Sequence, residues 1–241
     1  MQPLLIAENL HKTYGHGDIF KNISFELNPG ETIGFFGMSG SGKSTLGKCL
    51  IGLEKLSGGH VIFSGRDISH LPDRKLRKIR PGMQMIFQHP EVSLNPRMKL
   101  IDSVTEPLAY HKKQKKSVVF EELAPLIEAV GLRPDQFLCY PSQLSGGELQ
   151  RAMMVKVYSL QPPLIVADEP TSMLDMSVQA QILVLMRNLQ KQYNTAGIFI
   201  SHDPEVMQVM CDRIGVLKDG KFNMMKSSEF KEYFINYQDE F

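Results

Sequence analysis

One junction near the start of the chain restricts the fold more than any other feature. Glu31-Thr32-Ile33-Gly34-Phe35-Phe36 is a short apolar, β-branched and aromatic run, a pattern that predicts a buried strand. It leads without a break into Gly37-Met38-Ser39-Gly40-Ser41-Gly42-Lys43-Ser44, and Ser44 to Ile51 then carries a helical pattern. Strand, glycine loop and helix in that order make a complete Walker A phosphate loop. Glycines at 37, 40 and 42 let the backbone turn tightly and aim its N–H groups at phosphate oxygens. The N-terminus of the following helix adds a partial positive charge. Lys43 is expected to reach the β- and γ-phosphates of a nucleotide, and the Ser44 hydroxyl to ligate Mg²⁺. Met38, Ser39, Ser41 and Thr45 complete the expected binding loop with the three glycines.

Two further strand ends bear chemistry. Leu164-Ile165-Val166-Ala167 runs apolar without alternation, as in a parallel strand covered on both faces. Asp168 and Glu169 follow at its carboxyl end, where α/β sheets place their ligands. Adjacent carboxylates there would repel each other unless a cation or a proton transfer used them. The expected division gives Asp168 to Mg²⁺ through water and Glu169 to polarising the attacking water. Another apolar strand, Gly197-Ile198-Phe199-Ile200-Ser201, ends at His202. Its matching position assigns His202 a hydrogen bond to the γ-phosphate rather than pH sensing.

About a hundred residues beyond the phosphate loop, Leu144-Ser145-Gly146-Gly147-Glu148 opens a helical stretch. A Ser-Gly-Gly turn at a helix start reads as a second anion-binding nest. Two such nests in one chain imply two copies meeting head to tail, each completing the other's site.

In this order the motifs resemble the ATP-binding subunit of an ABC transporter, over residues 4 to 222 or so. The resemblance implies an α/β fold: a P-loop NTPase (RecA-like) core with an N-terminal antiparallel β region and an inserted helical subdomain. It implies an ATPase that uses ATP and Mg²⁺. Tyr14, in Leu10-His11-Lys12-Thr13-Tyr14, would stack on adenine. Gln88, in Met85-Ile86-Phe87-Gln88, would touch Mg²⁺ or the lytic water and report nucleotide state to a membrane partner. Ser145 and Gly147 would contact the γ-phosphate held by the opposite subunit. Ser172-Met173-Leu174-Asp175 resembles the loop that crosses the dimer interface, with Asp175 its key residue. Two positions depart from the family pattern: Glu148 stands where glutamine is usual, placing an extra negative charge near a triphosphate, and Met173 replaces a small residue.

The stretch from Gln88 to Met98, with Asp168-Glu169-Pro170-Thr171-Ser172 and Val178-Gln179-Ala180-Gln181, is similar to importers of oligopeptides, dipeptides and nickel. The implied cargo is peptide, nickel or a metal chelate. The implied partners are two transmembrane permease subunits, a second ATP-binding subunit (a different chain or a second copy) and an extracytoplasmic substrate-binding protein. The implied location is the cytoplasmic face of the inner membrane, as a peripheral subunit.

Composition excludes other classes. A net charge of +1 creates no field to hold nucleic acid or anionic lipid, so no nucleic-acid partner is expected. Basic clusters at Arg74 to Arg80 and Lys112 to Lys116 read as solvated faces. Cys49, Cys139 and Cys211 are isolated, without metal or disulfide spacing, and suit a reducing compartment. No run approaches 18 apolar residues and the N-terminus lacks an export pattern, so a transport role needs separate membrane subunits.

One ATPase domain is expected over 1–222, with its α/β core at 1–87 and 161–222 and its helical block at 89–160. A short tail, 223–241, is expected to hold a helix against the core. Two rivals are a nucleic-acid-directed ATPase of chromosome maintenance or translation and a small-molecule kinase. The first needs long coiled coils or two such domains in one chain, and the second lacks the Ser145 turn.

Overall fold

A computed structural model describes residues 2–15 and 17–238. The chain forms two compact units, one from Met1–Gln84, Pro163–Glu169 and Asn194–Phe241, the other from Met85–Pro162 and Pro170–Tyr193.

The strands in chain order are β1 (Leu5–Tyr14), β2 (Gly17–Leu27), β3 (Thr32–Phe36), β4 (Gly58–Phe63), β5 (Arg66–Asp67), β6 (Met83–Ile86), β7 (Leu164–Asp168), β8 (Ala196–Ile200), β9 (Arg213–Lys218) and β10 (Lys221–Lys226). The chain leaves the first unit along β6. Within that unit β2-β1-β4-β5 is an antiparallel sheet. The strands β10-β9-β3-β8-β7, in that order, make a second, mainly parallel sheet. Every residue of β3, β7 and β8 is buried, which is why these segments read as unbroken apolar runs.

Parallel pairing has a direct consequence for the site. Phe35 pairs with Ile200 and Asp168 also pairs with Ile200, so the carboxyl ends of β3, β8 and β7 lie side by side. The chain leaves those three ends through Gly37, Ser201 and Glu169. Strand order, not sequence proximity, gathers the motifs.

The hairpin from β9 to β10 turns through Asp219 and Gly220, with φ of +51° and +72°, as a two-residue turn of this kind requires. The helix Ser227–Gln238 buries Phe230 completely. Phe230 and Phe234 set their rings edge-on to Phe36 at 5.0 and 5.6 Å. This helix lies in the expected tail, of which 239–241 are outside the described residues.

The second unit is helical: Pro90–Ser93, Leu100–Lys112, Lys116–Glu122, Ala124–Val130, Gly146–Tyr158 and Met176–Tyr193. Val104, Val119, Val130, Phe137 and Met154 are fully buried in it. It takes in the long helix Met176–Tyr193 as well as the block around 89–160. That helix is held to Gly146–Tyr158 by Arg151, which donates to Gln181 at 3.0 Å, and by the contact of the Tyr158 and Tyr193 rings, 5.6 Å apart.

Candidate active site

The site starts at the end of β3. Gly40 and Gly42 take φ of +79° and +100°, conformations open to glycine and costly to other residues, so the loop curls back over the helix Lys43–Leu50. Lys43 is 5% exposed. Its Nζ donates to the carbonyls of Gly37 at 2.8 Å and Met38 at 2.7 Å and to Ser41 Oγ at 3.4 Å. Burial pushes its pKa down, against the pull of Glu169 and Asp168.

Ser44, the second residue of that helix, donates its hydroxyl to Asp168 Oδ1 at 2.8 Å. The bond joins the loop after β3 to the end of β7. Burial raises the Asp168 pKa, the Ser44 bond and the charges of Lys48 and Lys43 oppose the rise, and Glu169 adds to it. Glu169 has φ of +45°, a left-handed backbone that is uncommon for any residue but glycine and tends to occur where function demands it. Its N–H donates to Ile200 O at 2.9 Å, and its Oε1 lies 3.2 Å from His202 Nδ1. The left-handed turn thus carries the second acid off the line of β7 and across to the end of β8.

Hard oxygen donors from a hydroxyl and a buried carboxylate, 2.8 Å apart, fit Mg²⁺, which takes few protein ligands and completes its shell with water and phosphate. Of the expected metal set, Ser44 and Asp168 are brought together. Gln88 belongs to the second unit, where its amide donates to Ser172 Oγ at 3.1 Å.

A cavity of about 490 Å³ opens beside the loop, lined by Met38 to Ser41, Ile19 and the hairpin residues Leu217 to Gly220. That volume is within the range of small-molecule sites. The hairpin's part in this wall is not signalled in the sequence. Tyr14, at the end of β1, is 50% exposed, with the Lys12 ammonium 4.4 Å from its ring centroid.

The turn at 145 differs from its sequence reading. Neither Gly146 nor Gly147 has a left-handed φ; both are the first turn of a regular helix capped by Ser145. What the turn offers an anion is a helix N-terminus, not a nest. Gly147 is glycine for room, since a Cβ there would lie 2.7 Å from Val178 Cγ1. Glu148 Oε2 accepts both the Ser145 N–H and the Ser145 hydroxyl at 2.8 Å, and Oε1 accepts from the Gln136 amide. The Ser145 backbone and hydroxyl therefore hold the Glu148 carboxyl below its ordinary range, against burial. The extra charge is turned inward onto its own subunit. Gln136, ten residues before Gly146, was invisible as a partner because nothing in its local sequence marks it.

Asp175 Oδ1 accepts the Val178 N–H at 3.0 Å, the geometry of a helix cap. Met173 and Met176 beside it are 60% and 86% exposed. Among the described residues, no helix is long and apolar enough to cross a membrane.

The ABC transporter family matches residues 20–172. The chain is 43% identical over 215 residues to the oligopeptide transport ATP-binding protein AppF of Bacillus subtilis, covering 89% of this chain and 65% of that one. It is 41% identical over 213 residues to the uncharacterized ABC transporter ATP-binding protein YejF of Escherichia coli, covering 88% and 40%. It is 37% identical over 231 residues to the di/tripeptide transport ATP-binding protein DppF of Pseudomonas aeruginosa, covering 92% and 72%. The chain thus spans well under the full length of these relatives. An ATP-binding cassette solved as a dimer in a post-hydrolysis state with ADP and Pi superposes with a TM-score of 0.80 at 28% identity, over 92% of this chain and 98% of that one. CbiO1 of Clostridium perfringens, part of the ABC transporter complex cbiONQ, shares the fold at a TM-score of 0.86 and 24% identity, over 99% of this chain and 94% of that one.

Proposed function

Because the chain belongs to the ABC transporter ATP-binding family, we propose that it is the ATP-hydrolysing subunit of a membrane importer of peptides, working at the cytoplasmic face of the inner membrane. The observation that carries the reading is the convergence of Lys43, Ser44, Asp168, Glu169 and His202 on adjacent strand ends, with the Ser44–Asp168 and Glu169–His202 contacts formed. Peptide is favoured over nickel or a metal chelate because two of the named relatives, AppF and DppF, are peptide transport proteins.

The residues divide the work as follows. Lys43 exchanges its loop carbonyls for the β- and γ-phosphate oxygens. Ser44 and Asp168 hold Mg²⁺, which when bound neutralises phosphate charge. Glu169 draws a proton from the attacking water, and His202 donates towards the γ-phosphate. Ser145 and Gly147 at their helix start, and Asp175 in its loop, serve the nucleotide of the opposing ATP-binding subunit. Gln88 relays the state of the site to the permease. Moving such a pair from 1% to 99% closed needs about 5.5 kcal/mol of differential binding. A few charge-assisted hydrogen bonds at about 1.5–3 kcal/mol each suffice, and loss of the γ-phosphate reverses closure.

The test is ATP hydrolysis by the complex of this chain with its permease subunits, reconstituted in vesicles with the substrate-binding protein. Peptide-stimulated turnover is expected. A complex that turns over ATP identically with and without every peptide offered would sink the peptide assignment.

A further inference from the structure

The first unit holds one nearly buried cation for which the hydrolysis chemistry has no use. Lys12 on β1 is 6% exposed. Its Nζ donates to Glu54 Oε1 at 2.8 Å and to the Lys55 carbonyl at 2.6 Å. The same ammonium lies 4.4 Å from the centroid of the Tyr14 ring. One carboxylate thus fixes the ammonium behind the ring.

Two residues apart on a strand, Lys12 and Tyr14 project to the same face. A cation within about 6 Å of a ring centroid is attracted to the ring face. Lys12 therefore occupies one face of Tyr14 and leaves the half-exposed remainder of the ring open. The clamp also reaches the phosphate loop's own helix. Glu54 and Lys55 follow the helix Lys43–Leu50, and the Leu53 and Glu54 N–H groups both return to the Lys48 carbonyl, at 2.9 and 3.2 Å.

We propose that Lys12 is the positioning residue of the base-binding platform: it closes one face of the Tyr14 ring and ties the ring to the phosphate-loop helix, so that the nucleotide base stacks on the other face. This rests on the reading of the chain as an ATP-binding subunit. Lys12 acts through Tyr14 and touches no reacting atom.

The experiment is calorimetric titration of the full chain with two probes, ATP and inorganic tripolyphosphate, the second having no base. Lys12→Met is expected to weaken ATP about two- to fivefold and to leave tripolyphosphate unchanged. Tyr14→Ala is expected to show the same selectivity, and adding Lys12→Met to it to change nothing further, because the two act as one unit. Glu54→Gln, which keeps the volume and one acceptor, is the second variant and should weaken ATP alone. Equal losses for both probes in Lys12→Met and Glu54→Gln, additive losses in the double variant, or unchanged ATP affinity would overturn the proposal. If Tyr14→Ala has no effect while Lys43→Ala abolishes binding of both probes, the platform fails and the ATP-binding reading stands. If Lys43→Ala affects neither probe, that reading falls as well.

Discussion

Glu169 Oε1 and His202 Nδ1 lie 3.2 Å apart, although the two residues belong to the ends of different strands. The contact exists because Glu169 leaves β7 with a left-handed φ of +45°, which turns its carboxylate towards the loop after β8. The acid is only 19% exposed at its side chain and the imidazole 62%, so the proposed base is sheltered while the imidazole faces outward.

This arrangement predicts separable variants. Glu169→Gln should keep ATP affinity and lose about 10²–10⁴-fold in turnover, the range of a general base. His202→Ala should lower turnover and leave affinity for ADP, which lacks the γ-phosphate, unchanged. Single-turnover hydrolysis beside equilibrium ADP and ATP titrations checks both, and normal turnover in Glu169→Gln would require a different base.

Glu148 makes a second prediction. In Glu148→Gln one carboxylate oxygen becomes an NH₂ group, set against the Gln136 amide donor that now bonds there. If Gln136 flips to relieve this, it gives up the acceptor it offers the Arg133 N–H at 2.8 Å. A loss of about 1 kcal/mol in urea unfolding is expected, restored when Gln136→Glu is added. Unchanged stability in the single variant would mean the carboxylate is not held as described.

The opposing-subunit role proposed for the same turn is tested separately. Ser145→Arg should leave ATP binding by the isolated chain intact and abolish hydrolysis in the assembled complex, where its bulk would block the interface. Full turnover in that complex would contradict the shared site.

A pH dependence follows from Glu31 and Arg213. Burial opposes ionisation of Glu31, but the Arg213 guanidinium at 2.5 Å and the Asn28 donors prevail and hold its pKa below the usual value. A carboxyl with a lowered folded pKa adds stability that is present above its unfolded pKa, about 4.3, and lost as pH falls through the folded value. Arg213→Met should therefore cost about 1–3 kcal/mol at pH 7, and the gap to the parent should shrink as unfolding is measured towards pH 3. A gap independent of pH would assign the loss to packing.

The thiols should divide by burial. Cys49 and Cys211 are buried and Cys139 is partly exposed, and burial pushes the Cys49 thiol up to about 12. A thiol reagent at pH 8 is expected to label Cys139 in the folded protein and the other two only on unfolding, as peptide mass mapping would show.

What the sequence determined by itself are the chemical groups and the kinds of element that bear them. Lys43, Ser44, Asp168 and His202 were legible because each follows an apolar run, and such runs reveal buried strands through a local pattern. Tertiary structure decided which groups meet. Ser44 and Asp168 are 124 positions apart and touch because β8 separates their strands and aligns the ends. The left-handed turn at Glu169, the inward pull of Gln136 on Glu148, and the seating of Lys12 behind Tyr14 are likewise tertiary. Periodicity reports which face of an element is buried, whereas a contact between loops depends on strand order and register, which no short window of residues contains.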